Sequence, residues 1–104
     1  MQKVLIDVFI VPQESKAAFA ERTHSIQSFL KTLPGFVEGF VYEKRAGENR
    51  YNIITTAVWE NEEAFGNAKQ AVAAEFQKQN FSPQEVMNEL KVEGERGIYE
   101  RFPY

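Results

Sequence analysis

A change in the spacing of apolar residues marks out the middle of the chain. From residue 51, Tyr51, Ile53, Thr55, Ala57 and Trp59 fall on one face of an extended run, and Asn52, Ile54, Thr56 and Val58 on the other. β-Branched and aromatic residues dominate, so the alternation predicts a strand with little polar surface on either side. At Glu60-Asn61 the period lengthens, because Phe65, Ala68, Val72 and Phe76 recur at helical spacing. Asn61 suits an N-cap, and Glu62 and Glu63 put negative charge at the positive end of the helix dipole. A strand that is apolar on both faces needs two covers. The helix supplies one, and in so short a chain a second molecule is the expected source of the other.

The rest of the chain fits around that pair. Residues 3–11 alternate Val4, Ile6, Val8, Ile10 against Leu5, Asp7, Phe9, Val11, a second two-faced strand broken by one carboxylate and ended by Pro12. A helix from Ser15 or a neighbour to about Thr32 carries Phe19, Thr23, Ile26 and Leu30 on its inner stripe. Leu33-Pro34-Gly35-Phe36 stops it, since the residue before a proline avoids the α region and Gly35 can take positive φ. A strand over 36–44 places Phe36, Glu38, Phe40 and Tyr42 on one side and Val37, Gly39, Val41 and Glu43 on the other. The short polar loop 45–50 then makes it an antiparallel hairpin partner of the central strand. Ser82-Pro83-Gln84-Glu85 is a capped start for a short helix burying Val86, Met87 and Leu90. The chain closes with a strand from Val92 to Phe102, ending at Pro103-Tyr104. This βαββα order, with an extra helix before the last strand, predicts an α+β fold of the ferredoxin-like βαββαβ plan as a single domain, 1–104. The row Val4, Ile6, Val8 and Ile10 would lie on the helix-free face, an apolar surface that a two-fold pairing of subunits would bury.

Composition narrows the functional classes. At 104 residues the chain can bury a core but is small for a deep private ligand cavity. Apolar residues make up 43% and aromatics 13%, with nine Phe, so the surplus rings are expected to line a pocket or an interface. Net charge is −3 with the signs interspersed, which argues against nucleic acid. No run approaches the roughly 20 apolar residues of a membrane span, and the expectation is a soluble, cytoplasmic protein. The absence of Cys excludes thiolate chemistry, and a single His argues against a histidine metal site, so no metal is expected.

Three features together resemble the antibiotic biosynthesis monooxygenase (ABM) family of the dimeric α+β barrel superfamily: Leu33-Pro34-Gly35-Phe36, the strand ending Ala57-Val58-Trp59-Glu60-Asn61-Glu62-Glu63-Ala64-Phe65, and the element order. The resemblance implies a homodimer whose sheets form a barrel, often with the last strand reaching across, and a pocket in each subunit between sheet and helices. Members of that family include cofactor-independent monooxygenases acting on quinol-like aromatics and haem-degrading enzymes, alongside many of unknown activity, so the resemblance implies one of these. The haem-degrading branch uses an Asn on the first strand, a Trp in the second main helix and a His near that helix's end. These fall on Asp7, Ala68 and Lys78, so none is retained and haem is not the expected cofactor.

The cofactor-free reading needs an apolar aromatic slot and one group that favours the reactive anion, so orientation and electrostatics would carry the catalysis. Asp7, Trp59 and His24 are the candidate catalytic residues. Phe9, Phe40, Tyr42, Tyr51, Phe65, Phe76 and Tyr99 are the candidate substrate-binding residues, with Arg101 a further polar candidate. Each also has a plainer reading: Trp59 as core, His24 as a surface residue, the tyrosines as cross-strand packing. Asp7 either meets a cation such as Arg101 or Lys91 or sits unpaired in an apolar pocket where desolvation favours the neutral acid; the second is expected. A non-catalytic dimer that binds a small apolar ligand or a protein partner is the alternative to an enzyme.

Overall fold

Seven regular elements follow the expected order in a computed structural model that describes residues 1–103. They are β1 (Lys3–Ile10), α1 (Lys16–Leu30), β2 (Phe36–Glu43), β3 (Ile53–Trp59), α2 (Glu62–Lys78), α3 (Pro83–Leu90) and β4 (Glu93–Tyr99). The strands form one sheet in the order β2-β3-β1-β4, with every neighbouring pair antiparallel. This is the ferredoxin-like α+β arrangement. The last strand is shorter than its sequence run, ending at Tyr99 rather than Phe102, and Tyr104 lies outside the described residues.

Local chemistry sets the boundaries. Asn61 Oδ1 accepts from the backbone N–H of Ala64 at 2.8 Å and caps α2, and the Ser82 hydroxyl accepts from Glu85 N at 3.4 Å ahead of Pro83 in α3. Ser15 behaves differently from a cap. A short 3-10 turn over Gln13–Ser15 precedes α1, and the buried Ser15 hydroxyl donates to the Leu90 carbonyl at 2.7 Å, tying the start of α1 to the end of α3. After Leu30 the chain turns through Gly35, whose φ of +81° and 2.3 Å gap between an added Cβ and Ala64 Cβ admit only glycine.

The strand faces divide as expected in β1 and β3 but not in β2. Phe36 pairs with Trp59, yet Glu38 pairs with Val58, so Val37 forms a β-bulge. One extra residue inverts the alternation beyond it. Phe36 remains on the helix side, where its ring meets Trp59 edge to face at 5.3 Å, whereas Phe40 and Tyr42 turn to the helix-free face. Gly39 takes the helix side instead, and Gln27 of α1 packs down on it, donating from Nε2 to the Thr56 carbonyl at 3.2 Å.

The core gathers in two clusters. Val11, Phe19, Ile53 and Val92 form one, and Leu30, Ala57, Trp59 and Ala68 the other, with Trp59 only 2% exposed. The opposite sheet face carries no helix. Val4, Ile6, Val8 and Ile10 share it with Ile54, Val58, Phe40 and Tyr42, and the last two are about half exposed.

Candidate functional site

Between the helix-bearing face and the helices lies a cavity of about 420 Å³. It is open to solvent along part of its rim, and is roomier than the length of the chain suggested. It exists because α1, α2 and α3 each contribute a stripe to a shared wall instead of collapsing onto the sheet. The whole inner stripe of α1 (Phe19, Thr23, Ile26, Leu30) and that of α2 (Phe65, Ala68, Val72, Phe76) line it. The floor is Leu5, Asp7 and Phe9 of β1 with Thr55, Ala57 and Trp59 of β3, and α3 adds Val86 and Met87. No residue of β2 takes part, which follows from the bulge and from that strand's place at the sheet edge.

Asp7 lies in this floor beside Leu5 and Phe9, but it is not an unpaired acid. Arg96 of β4, directly opposite it in the β1–β4 ladder, donates from Nε to Oδ1 at 2.7 Å and from Nη2 to Oδ2 at 3.1 Å. The expectation of an unpaired acid is overturned, and neither Arg101 nor Lys91, the cations named for the paired alternative, is the partner. The correction has a simple cause: antiparallel register puts Arg96 on the same face as Asp7, one strand spacing away, where a guanidinium fork matches a carboxylate. The Asp7 side chain is 14% exposed and that of Arg96 66%. The hydrogen bond that it donates to Asp7 drives the Arg96 guanidinium still further up from its high ordinary value, against the opposing effect of burial.

Five of the ten candidate catalytic and substrate-binding residues therefore meet at one cavity, Asp7, Phe9, Trp59, Phe65 and Phe76, and the further polar candidate Arg101 is not in its wall. The other five do not. His24 is exposed on α1 and off the inner stripe. Phe40 and Tyr42 are turned away by the bulge. Tyr51 donates its hydroxyl to Glu95, and Tyr99 folds its ring over Gly97 on the helix-free face. Sequence reasoning passed over Arg96, Arg22, Lys69 and Gln27, all of which line the cavity. Arg96 could have been found by aligning β4 against β1; the other three are polar residues on mainly apolar helix faces, with no motif to flag them.

The wall does not fit a haem iron. It contains no imidazole, since the chain's one histidine lies outside it, and among the described residues no three His, Cys, Asp or Glu side chains come together as metal ligands. An apolar slot with a few polar side chains instead suits a flat organic molecule.

Comparison with known proteins agrees with this architecture. The family model for antibiotic biosynthesis monooxygenases matches residues 1–78. The chain belongs to the ABM family. Among solved structures, a candidate monooxygenase of Shewanella loihica PV-4 is 20% identical, with a TM-score of 0.73 over 99% of this chain and 96% of its own. SnoaB of Streptomyces nogalater, a cofactor-independent oxygenase, is 18% identical in a single-substitution variant, with a TM-score of 0.72 over 99% and 95%. A haem-degrading protein of Mycobacterium tuberculosis is 26% identical, with a TM-score of 0.57 over 66% and 78%. No curated protein sequence matches significantly. These likenesses establish the ABM fold, and family membership supports a monooxygenase-like function.

Proposed function

We propose that this ABM protein is a small oxygenase that binds an electron-rich phenol or quinol-like aromatic in the cavity and lets it react with O₂ without metal or flavin. The observation that carries the reading is the cavity itself: about 420 Å³, walled by Phe9, Phe19, Trp59, Phe65 and Phe76, with one fixed carboxylate in its floor. For a phenol with a free para C–H, the substrate supplies all four electrons. One oxygen atom becomes the second quinone oxygen, the other leaves as water, and the phenol O–H and the para C–H supply its protons. The protein's part is to hold the ring, exclude bulk water and favour the phenolate that reacts with O₂. In this reading Asp7 accepts the phenolic proton, and Arg96 is a positioning residue that fixes the carboxylate.

Oxygen uptake with a panel of phenols and hydroquinones tests the reading. Uptake above the buffer blank that disappears when Ala68→Trp fills the cavity supports it; uptake equal to the blank across the panel refutes it. One observation favours a second reading, a non-catalytic binder: the only carboxylate in the cavity wall among the described residues is already neutralised by Arg96. A ligand that raises the melting temperature without turnover would support that alternative.

The same proposal includes a homodimer formed through the helix-free face. Val4, Ile6, Val8, Ile10, Ile54 and Phe40 form a contiguous apolar surface of the kind that two-fold pairing buries. Sedimentation at micromolar concentration should show a species of twice 12.0 kDa; a monomer alone would rule the dimer out.

A further inference from the structure

The charges around the cavity differ in sign from the rest of the chain. Overall there are 12 Lys and Arg against 15 Asp and Glu. Among the described residues the cavity wall has three cations, Arg22, Lys69 and Arg96, and a single carboxylate, Asp7. Arg96 is committed to Asp7. The other two form no salt bridge among the described residues. Each instead rests over an aromatic ring at the cavity: the Arg22 guanidinium 5.0 Å from the centroid of Phe81, and the Lys69 ammonium 5.6 Å from that of Phe65. Both residues are exposed, so they stand where the cavity meets solvent, on facing helices. An ammonium or guanidinium parked on a ring keeps its hydrogen-bond donors free and is partly oriented already, which favours a charged acceptor on an incoming ligand.

We propose that the ligand of this cavity is an aromatic bearing a carboxylate, its rings in the apolar slot and its acidic group at the mouth with Lys69 and Arg22. The inference rests on the aromatic-slot reading above and deepens it by adding the charge class. It also explains how a chain of net negative charge draws in an anion: the attraction is local and acts over the last few ångströms of approach.

Trp59, the chain's one tryptophan, lies in the cavity wall, so its fluorescence reports binding at this site. The probes are anthraquinone-2-carboxylate, already oxidised and therefore inert, and its uncharged counterpart 2-(hydroxymethyl)anthraquinone. The wild type should bind the carboxylate about tenfold more tightly than the alcohol at low salt, with the preference shrinking as salt rises. In Lys69→Met/Arg22→Met the preference should fall to within a factor of about two, with circular dichroism and thermal unfolding certifying the fold. Lys69→Arg should retain the preference. Equal binding of both probes by the wild type would overturn the charge inference and leave the aromatic slot standing. A preference that survives in the double variant would overturn the assignment to these two cations. If neither probe quenches Trp59, the slot reading fails and this inference fails with it. Should Arg22→Met alone weaken the alcohol through lost packing on Phe81, Lys69→Met carries the test, and an unchanged preference there overturns the role of Lys69.

Discussion

Removing either partner of the Asp7–Arg96 pair should destabilise the protein at neutral pH, but by different amounts. The carboxylate is the buried partner, at 14% exposure, and the guanidinium the open one, at 66%. In Asp7→Asn the guanidinium loses its counter-charge yet can rehydrate, so the expected loss is that of one charge-assisted contact near the surface, about 1 kcal/mol. In Arg96→Met the carboxylate stays in an apolar floor beside Leu5 and Phe9 with no cation. That lies between the cost of breaking an exposed pair and the roughly 3–5 kcal/mol of breaking a buried one, or about 2 kcal/mol. In Asp7→Asn/Arg96→Met no charge is stranded, and the combined loss should be smaller than the sum of the two single losses. Thermal unfolding at pH 7 and fixed protomer concentration resolves these differences, because each kcal/mol is about 4 °C or more for a domain of this size. An Asp7→Asn variant more stable than the wild type would refute the ion pair and reinstate an unpaired buried acid. A loss in Asp7→Asn exceeding that in Arg96→Met would refute the assignment of which charge is sheltered.

Three further outcomes follow from local geometry. Glu43 accepts from Lys16 Nζ at 2.8 Å and from Arg45 Nη1 at 2.9 Å, contacts that lower its carboxyl from 4.5 to about 2. A depressed folded value means the stabilisation is present above about pH 4.5 and is lost as pH falls toward about 2. The melting-temperature gap between wild type and Glu43→Gln should therefore be flat above that range and close within it, and a gap independent of pH would contradict the contact. Asn61→Ala should cost about 1 kcal/mol in urea unfolding, with Asn61→Ser recovering most of it; no loss would mean that the Asn61–Ala64 bond does not cap α2. Gly35→Ala combines positive φ with a collision at Ala64 and should cost about 2–5 kcal/mol, whereas a variant as stable as wild type would show that the turn can relax.

How far the sequence carried the structure depends on the kind of signal. Period alone sufficed for the helices: every residue of the stripes Phe19-Thr23-Ile26-Leu30 and Phe65-Ala68-Val72-Phe76 lines the cavity, because helical spacing is a local property of the chain. Two-faced apolar alternation likewise predicted β1 and β3 as strands covered on both sides, and in the structure these are the two inner strands of the sheet. Strand register was less accessible. Nothing in Phe36-Val37-Glu38 announces a bulge, since β-branched Val37 is an ordinary strand residue, and its presence moved Phe40 and Tyr42 to the opposite face. The partner of Asp7 was hidden for a related reason. A side chain's neighbour across a sheet is set by pairing between strands 89 residues apart, and the charge pattern of β4 alone cannot distinguish Arg96 from Arg101.

These two long-range facts also shape what the site can do. Had β2 continued in register, Phe40 and Tyr42 would have pointed at α1 in place of Gly39, filling the space over which Gln27 now packs. The bulge thus removes two large rings from the helix side and delivers them to the helix-free face, enlarging the apolar surface there and keeping β2 out of the cavity wall. One inserted residue links room for a ligand on one face to the means of association on the other. Deleting Val37 should reverse both effects together, weakening Trp59 quenching by an aromatic probe and any self-association in sedimentation. If a folded deletion variant lost one and kept the other, the bulge would not be their common cause.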